Sequence, residues 1–280
     1  MTNTIQQALL ATKERLKPTS PTPVADSEIL LCHVLNCDRS YLYTWPEKIL
    51  TNTQQQHLDS LIERRMLGEP VAYLTGQRAF WEFNLAVSAA TLIPRPETEL
   101  LVEQALLQIP LNASYDILDL GTGTGAVALA IAHERPSCHI TAIEQSTEAL
   151  AVAARNVKAC NCGNIQLLRS QWFSALPDKT YHIIVSNPPY IALHDPHLNT
   201  GDVRHEPRSA LVSGEDGLDD IHHIIEHSIH HLHTRGHLLL EHGYDQSVAV
   251  KALLVRHGFK KISQYKDLSG HLRVSHGQCA

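Results

Sequence analysis

ILDLGTGTGAVALAIA, residues 117–132, runs from a short apolar segment through three alternate glycines into an alanine-rich apolar stretch. A buried strand, a glycine turn and a helix in that order make the first half of a βαβ unit. Glycine is needed where a backbone turns at positive φ, and where a ligand must approach main-chain atoms with no Cβ in the way. The spacing is GxGxG with Asp119 two residues upstream. It departs from the dinucleotide pattern GxGxxG, whose third glycine serves helix packing beneath a pyrophosphate. A plain tight turn between strand and helix is the alternative reading.

Outward from this segment the pattern alternates short apolar strands with helical stretches, the signature of a parallel sheet with crossover helices. Strands are predicted at Asp116–Leu120, His139–Glu144, Ile165–Arg169, Tyr181–Ser186 and 237–241, with helices at Ala126–Glu134, Thr147–Ala159, 218–233 and 246–257. Residues 1–75 carry helical periodicity instead, in Ile5, Leu9 and Leu16, then 25–35 after a Pro-rich break, then Leu58, Leu61, Ile62 and Arg65. Residues 76–93 are rich in aromatic and β-branched side chains around a turn, as in a hairpin or extended linker. The expected architecture is a small N-terminal helical domain over 1–75, a β-hairpin linker over 76–93, and an α/β Rossmann-like domain over 94–280.

Composition bounds the functions. The chain has 280 residues and is 43% hydrophobic, enough for one large domain and a smaller one. Its 23 Lys+Arg against 29 Asp+Glu leave a formal net charge of -6, which disfavours affinity built on neutralising a nucleic-acid backbone. No window approaches the ~18 continuous apolar residues of a membrane span, and the start MTNTIQQALL lacks a signal-peptide core. The six cysteines form no CxxC pair and are expected to be reduced. A soluble, cytoplasmic, monomeric protein is expected. Of nineteen histidines, six lie in 222–233, where His223 and His227 share a helix face. A solvated helix face is the expectation there, with no metal.

S-adenosylmethionine is a nucleoside ligand without a phosphate, and a GxGxG turn suits it. Gly121, Thr122, Gly123, Thr124 and Gly125 would form its cradle, and Glu144 ends the second strand where a carboxylate can accept from both ribose hydroxyls. Trp172, just past the third strand, either encloses the adenine or anchors the following loop.

The fourth strand runs into Asn187-Pro188-Pro189-Tyr190 at the carboxyl edge, where open α/β sheets bind ligands. Two prolines fix φ and remove two donors, leaving carbonyls that only accept. The Asn187 side-chain oxygen and the Pro188 carbonyl can receive both N–H bonds of one NH2 group, while the Tyr190 ring lies against the planar group carrying it. Such a grip answers a difficulty, because an amide nitrogen is a poor nucleophile with its lone pair delocalised. Holding both N–H bonds presents the nitrogen in line and stabilises the charge that develops on it. A methyltransferase acting on a planar amide or amine nitrogen is the reading. An N6-adenine-type nucleic-acid methyltransferase is the rival, since the same turn can hold a flipped base; a non-catalytic adaptor is the other alternative.

Taken together, these motifs resemble the peptide chain release factor glutamine N5-methyltransferases over nearly the full length. The resemblance rests on Gly68 through Tyr73 with Gly76, on Leu92-Ile93-Pro94-Arg95-Pro96-Glu97-Thr98-Glu99, and on the glycine loop. It continues through Trp172-Phe173, the Asn187 to Tyr190 turn, Asp195 through Leu198, Gly201 through Arg204 and Glu206-Pro207. It implies a class I S-adenosylmethionine-dependent methyltransferase that methylates the glutamine of the Gly-Gly-Gln motif in class I release factors, supporting translation termination. The helical domain would help to dock that protein substrate. It also implies cofactor contacts from Gly121 to Gly125, Glu144, Trp172 and Asn187, catalytic roles for Asn187, Pro188 and Tyr190, and substrate contacts from Asn187, Pro188, Pro189 and Tyr190. The RPETE segment resembles the release-factor branch rather than the related ribosomal-protein glutamine methyltransferases. The chain departs from the family at Gln171, where relatives usually carry an acid before the Trp, so altered adenine recognition is expected. Glu144 stands where many relatives have Asp.

Overall fold

The computed structural model describes residues 3–176 and 178–280. The chain forms two compact units, one of residues 1–77 with Asn199–His205, the other of Arg78–Leu198 with Glu206–Ala280.

The first unit contains five helices: α1 (Ile5–Leu16), α2 (Pro23–Leu35), α3 (Arg39–Thr44), α4 (Asn52–Met66) and α5 (Val71–Thr75). Local chemistry sets their starts. Thr4 with Gln7 and Thr51 with Gln54 form reciprocal capping boxes, and Asp38 accepts from the Tyr41 amide. Leu16, Leu30, Leu31, Leu58 and Ile62 are fully buried between the helices. Arg65 falls on that same buried face because it is neutralised there: its Nε meets Asp26 at 2.7 Å and its Nη1 meets Asp202 at 2.7 Å. Asp202 belongs to the 199–205 segment, which a linear boundary would assign to the other domain.

The hairpin β1 (Gln77–Phe80) and β2 (Phe83–Ala86) lies, but for Gln77, at the start of the second unit. Phe80 and Leu85 are buried in the same core as the helix after the glycine loop, so this hairpin is part of the second unit's packing rather than a free linker. Then follow α6 (Glu99–Leu107), β3 (Asp116–Leu120), α7 (Ala126–Glu134), β4 (His139–Glu144), α8 (Thr147–Ala159), β5 (Ile165–Arg169) and β6 (Tyr181–Ser186). After them come α9 (Asp219–His231), β7 (Leu232–Glu241), α10 (Ser247–Arg256), β8 (Lys260–Lys266) and β9 (Leu272–Gln278).

The seven-stranded sheet has the order β5-β4-β3-β6-β7-β9-β8, parallel through β7 and antiparallel at β9 and β8. Strand side chains alternate between two cores, as the pleat requires. Ile183 and Val185 face α6 and α7, while Ile184 packs on the α9 and α10 side. The strand order reverses between β4 and β6 about β3, and ligands in open α/β sheets bind in the crevice outside such a reversal. Registers Leu120↔Ile143 and Leu120↔Ser186 bring the carboxyl ends of β3, β4 and β6 side by side.

Differences from the sequence reading are local. The helix expected over 218–233 ends at His231, because Leu232 pairs with Tyr181 as the first residue of β7. Helix α6 and strands β8 and β9 were not anticipated. Strand β8 carries Lys260, Lys261 and Lys266 along the sheet edge, where charge replaces the apolar pattern that marks a strand.

Candidate active site

The glycine loop leaves β3 at Gly121, with φ 72°, and enters α7 at Gly125, with φ 85°. A Cβ on Gly121 would lie 3.4 Å from the Trp172 ring and one on Gly125 3.5 Å from Leu129, ordinary contact distances, so it is the positive φ that asks for glycine at both. The loop is held from within: the Thr122 amide donates to the Ile143 carbonyl at 2.8 Å and its hydroxyl to Asp119 at 2.6 Å. Asp119 is buried, and desolvation pushes its pKa up to about 6 against the bond from Thr122. From α8, buried Asn156 accepts from the Ala86 amide and donates to the Ala86 and Thr124 carbonyls, tying the hairpin to the loop.

Glu144 lies at the end of β4 with both oxygens engaged by backbone amides, Oε2 by Gly123 at 3.1 Å and Oε1 by Ser146 at 2.9 Å. Each oxygen keeps a further lone pair for a ligand hydroxyl. Trp172 has φ 47°, and its indole Nε1 donates to Asp220 Oδ1 at 3.1 Å. Its ring both lines the cleft and packs on the α9 core, so the two readings of this residue are compatible. Gln171 is exposed and is not part of the cleft wall, whereas Ser170 is.

These groups surround one cleft of about 970 Å³ that opens to solvent. Its wall includes Gly121, Thr122, Gly123, Thr124, Glu144, Trp172, Asn187 and Pro189 of the expected site, and Asp119, Thr98, Ser170 and the 90–94 stretch beside them. Pro188 and Tyr190 are not in that wall. The Tyr190 hydroxyl is turned instead toward Glu241, donating to Oε1 at 3.3 Å, and burial holds the phenol above its ordinary pKa.

The Asn187 amide is polarised by its surroundings. Its Nδ2 donates to Thr98 Oγ1 at 3.1 Å, and its Oδ1 is buried with no hydrogen-bond partner. A buried acceptor left unpaired costs about 1–3 kcal/mol, so the arrangement is primed for an N–H donor. Beyond the turn, Gln246 Nε2 donates to the Tyr190 carbonyl at 3.0 Å and the Gly217 carbonyl at 3.2 Å, clamping the chain that follows. In the segment before α6, Glu206 accepts from the Ile93 amide at 3.0 Å and pairs with Arg95.

Sequence reasoning missed Thr98 and Glu241 as site residues. Thr98 was visible only inside the quoted RPETE segment. Glu241 carries the same signal as Glu144, an acid ending an apolar strand, and could have been found by it. The histidines of α9 are not simply a solvated face: His227 and His231 stack on Phe173 at centroid distances of 6.2 and 4.8 Å. Among the described residues, no group of three or more His, Cys, Asp or Glu is placed to hold a metal. No helix among them is long and apolar enough to cross a membrane.

Comparison with known proteins adds a family to this geometry. The family described as PrmC N-terminal domain matches residues 7–76, and that described as Methyltransferase small domain matches residues 96–206. A release factor glutamine methyltransferase of Salmonella typhimurium is 51% identical over 92% of this chain and 93% of its own. One from Vibrio cholerae is 50% identical over 99% of this chain and 98% of its own. Among solved structures, a methyltransferase from Pyrococcus furiosus superposes with a TM-score of 0.54 at 19% identity, covering 77% of this chain and 96% of that one, a likeness of fold.

Proposed function

The chain belongs to the family of release factor glutamine methyltransferases, and on that footing we propose that it transfers a methyl group from S-adenosylmethionine to the N5 side-chain amide of a release-factor glutamine. The observation that carries this reading is the unpaired, buried Oδ1 of Asn187, a residue that lines the same cleft as the glycine loop. S-adenosylmethionine supplies an electrophilic methyl group on a sulfonium. The residues present fit it: glycines leave room at the end of β3, and Glu144 is held by two amides with lone pairs to spare for a ribose. Trp172 closes the cleft beside Gly121 as a flat apolar wall for the adenine.

The acceptor residues then orient the nucleophile. On this reading Asn187 Oδ1 and the Pro188 carbonyl accept the two N–H bonds of the glutamine amide and the Tyr190 ring bears on its plane, although Pro188 and Tyr190 stand outside the cleft wall. Fixing both bonds aligns the nitrogen and stabilises the positive charge it gains, while the surplus proton leaves after alkylation. The substrate is read as the Gly-Gly-Gln motif of class I release factors, bound by a monomer in the cytoplasm without direct nucleic-acid contact. The net charge of -6 supports the last point.

The test is incubation with labelled methyl donor and a purified release factor, and separately with DNA and RNA pools, followed by mass mapping. Label on the Gly-Gly-Gln glutamine is expected. Label on nucleic acid and none on glutamine would overturn the proposal in favour of an exocyclic-amine methyltransferase.

A further inference from the structure

The acceptor turn carries a mechanical difficulty that its own residues leave unsolved. Pro188 and Pro189 have no N–H, so the two middle residues of the turn offer no backbone donor by which it could be pinned. On the reading above, the Pro188 carbonyl and Asn187 Oδ1 are kept for the substrate. The turn must therefore be fixed from its flanks. Upstream it leaves β6, where the Ser186 hydroxyl donates to the Leu120 carbonyl at 2.8 Å. Downstream, the Ile191 amide donates to the Leu211 carbonyl at 2.8 Å and the Ile191 carbonyl accepts from the Ser213 amide at 3.0 Å. Between these anchors stands Tyr190, whose carbonyl accepts from Gln246 Nε2 at 3.0 Å. Resting on the amide-grip reading above, we propose that Gln246 is a positioning residue: it holds the downstream end of the Asn187 to Tyr190 turn and so sets where the acceptor nitrogen stands relative to the methyl donor.

Bond direction is what makes glutamine specific here. The Gly243 amide donates to Gln246 Oε1 at 2.8 Å, which fixes the oxygen end of the side chain. Nε2 is then turned to three carbonyls, those of Tyr190 at 3.0 Å, Gly217 at 3.2 Å and Asp216 at 3.3 Å. A carbonyl can only accept, so this point requires a donor. Half a turn of the amide would set an oxygen against three carbonyls and an NH2 against an N–H. One side chain thereby ties together the acceptor turn, the bend before α9 and the start of α10. Gly217 shows how close these segments lie. Its φ is 78°, and a Cβ there would collide with the Tyr190 carbonyl and stand 2.7 Å from Gln246 Nε2.

The connection from β7 to α10 that carries Gln246 is itself braced. Nδ1 of buried His242 lies 2.8 Å from the Gly243 carbonyl, so in the neutral ring that nitrogen carries the proton and Nε2 accepts from Ser275 Oγ of β9 at 2.9 Å. Gln264 Nε2 of β8 donates to the same Ser275 oxygen at 3.0 Å and to the Ser247 carbonyl at 2.7 Å. The Tyr190 hydroxyl donates to Glu241 on the same connection. Both ends of Tyr190, carbonyl and hydroxyl, are thus met by residues of 241–246, which the antiparallel strands hold in place.

The experiment compares the parent with Q246E and Q246M for methyl transfer to a purified release factor, with kcat and KM resolved, alongside calorimetric affinity for S-adenosylmethionine and thermal unfolding. Q246E keeps an acceptor for the Gly243 amide but sets a carboxylate oxygen against three carbonyls. Q246M keeps a similar volume and loses the bonds without the repulsion. We expect kcat to fall by roughly 10²-fold in Q246E, the scale of a reacting group displaced by about 1 Å, and by less in Q246M. Cofactor affinity should stay parental in both, and KM for the release factor should move less than kcat. A residue that served folding alone would lower the unfolding temperature and leave the kcat of the folded protein unchanged. Parental kcat in a folded Q246E, a deeper fall in Q246M than in Q246E, or a loss of cofactor affinity as deep as the loss of kcat overturns the assignment. If Q246E does not fold, Q246M decides: a lower kcat with cofactor affinity kept supports the assignment, and parental kcat overturns it. A parent that modifies no glutamine defeats the functional reading and this inference with it. A parent that does so beside a folded Q246E of undiminished kcat defeats this inference only.

Discussion

Asn187 Nδ2 lies 3.1 Å from Thr98 Oγ1, a bond between the carboxyl end of β6 and the turn before α6, and it leaves Asn187 Oδ1 buried and unpaired. Residues far apart in the chain thereby determine which end of one side-chain amide a substrate meets. The chemistry assigned to the cleft depends on that polarity, because an NH2 group is gripped by acceptors and repelled by donors.

Asn187→Ala removes the acceptor and is expected to lower kcat by about 10²- to 10³-fold, the loss typical of deleting one group that stabilises developing charge. Stability should change by only about 1 kcal/mol, since one hydrogen bond to Thr98 is lost. Steady-state transfer assays with a parallel thermal melt check both. Substantial turnover in this variant would show that the amide is not the grip.

Burial raises the Glu241 pKa from 4.5 to about 7, with Thr98, Arg273 and Tyr190 opposing the rise and Glu97 adding to it. Between those values the folded protein holds the proton more tightly than the unfolded chain, so this group's contribution to stability falls as pH rises from 4.5 through 7. Glutamine cannot ionise, so E241Q should gain stability relative to the parent across that window, by up to about 3 kcal/mol above it. Urea denaturation of both proteins at pH 5 and pH 8 measures this; an equal difference at the two values would contradict it.

Arg65→Met is expected to destabilise the helical unit by about 3–5 kcal/mol, because it strands the buried Asp26 carboxylate. Asp202→Ala, which removes the more exposed of the two partners, should cost only about 1 kcal/mol. The side-chain exposures, 6% for Asp26 and 40% for Asp202, are what separate the two cases. Chemical denaturation of each variant tests the order.

Trp172→Ala should weaken S-adenosylmethionine binding by about 1–3 kcal/mol, the range for losing an aromatic face against a base. Trp172→Phe keeps a ring but loses the bond to Asp220, so it should lose less. Calorimetric titration checks the pair, and the cofactor-induced rise in unfolding temperature should shrink in the same order. An unchanged affinity in the alanine variant would make Trp172 a loop anchor alone.

Much of the second unit was legible because its central strands β3, β4 and β6 are buried on both faces. Asp116–Leu120, His139–Glu144, Ile165–Arg169 and Tyr181–Ser186 read as short apolar runs, and their observed bounds are those expected. Edge strand β8 was invisible for the opposite reason. A half-exposed strand with lysines along it has no apolar run, and its identity comes from pairing with β7 through β9. The split of the chain was only partly legible, since the 199–205 segment follows the acceptor turn yet groups with the helices, where Asp202 meets Arg65.

By itself the sequence determined strands β3, β4, β5 and β6 with helices α7 and α8, the glycine turn, the acid ending β4 and the Asn-Pro-Pro-Tyr turn ending β6, because these are local: backbone conformation and strand burial are written in adjacent residues. Only the tertiary structure decided which way Asn187 points, that Thr98 meets its amide nitrogen, and that Tyr190 donates to buried Glu241. Hydrogen-bond direction is a property of the partners a side chain meets in space, and Thr98 meets Asn187, as Glu241 meets Tyr190, only when the sheet closes.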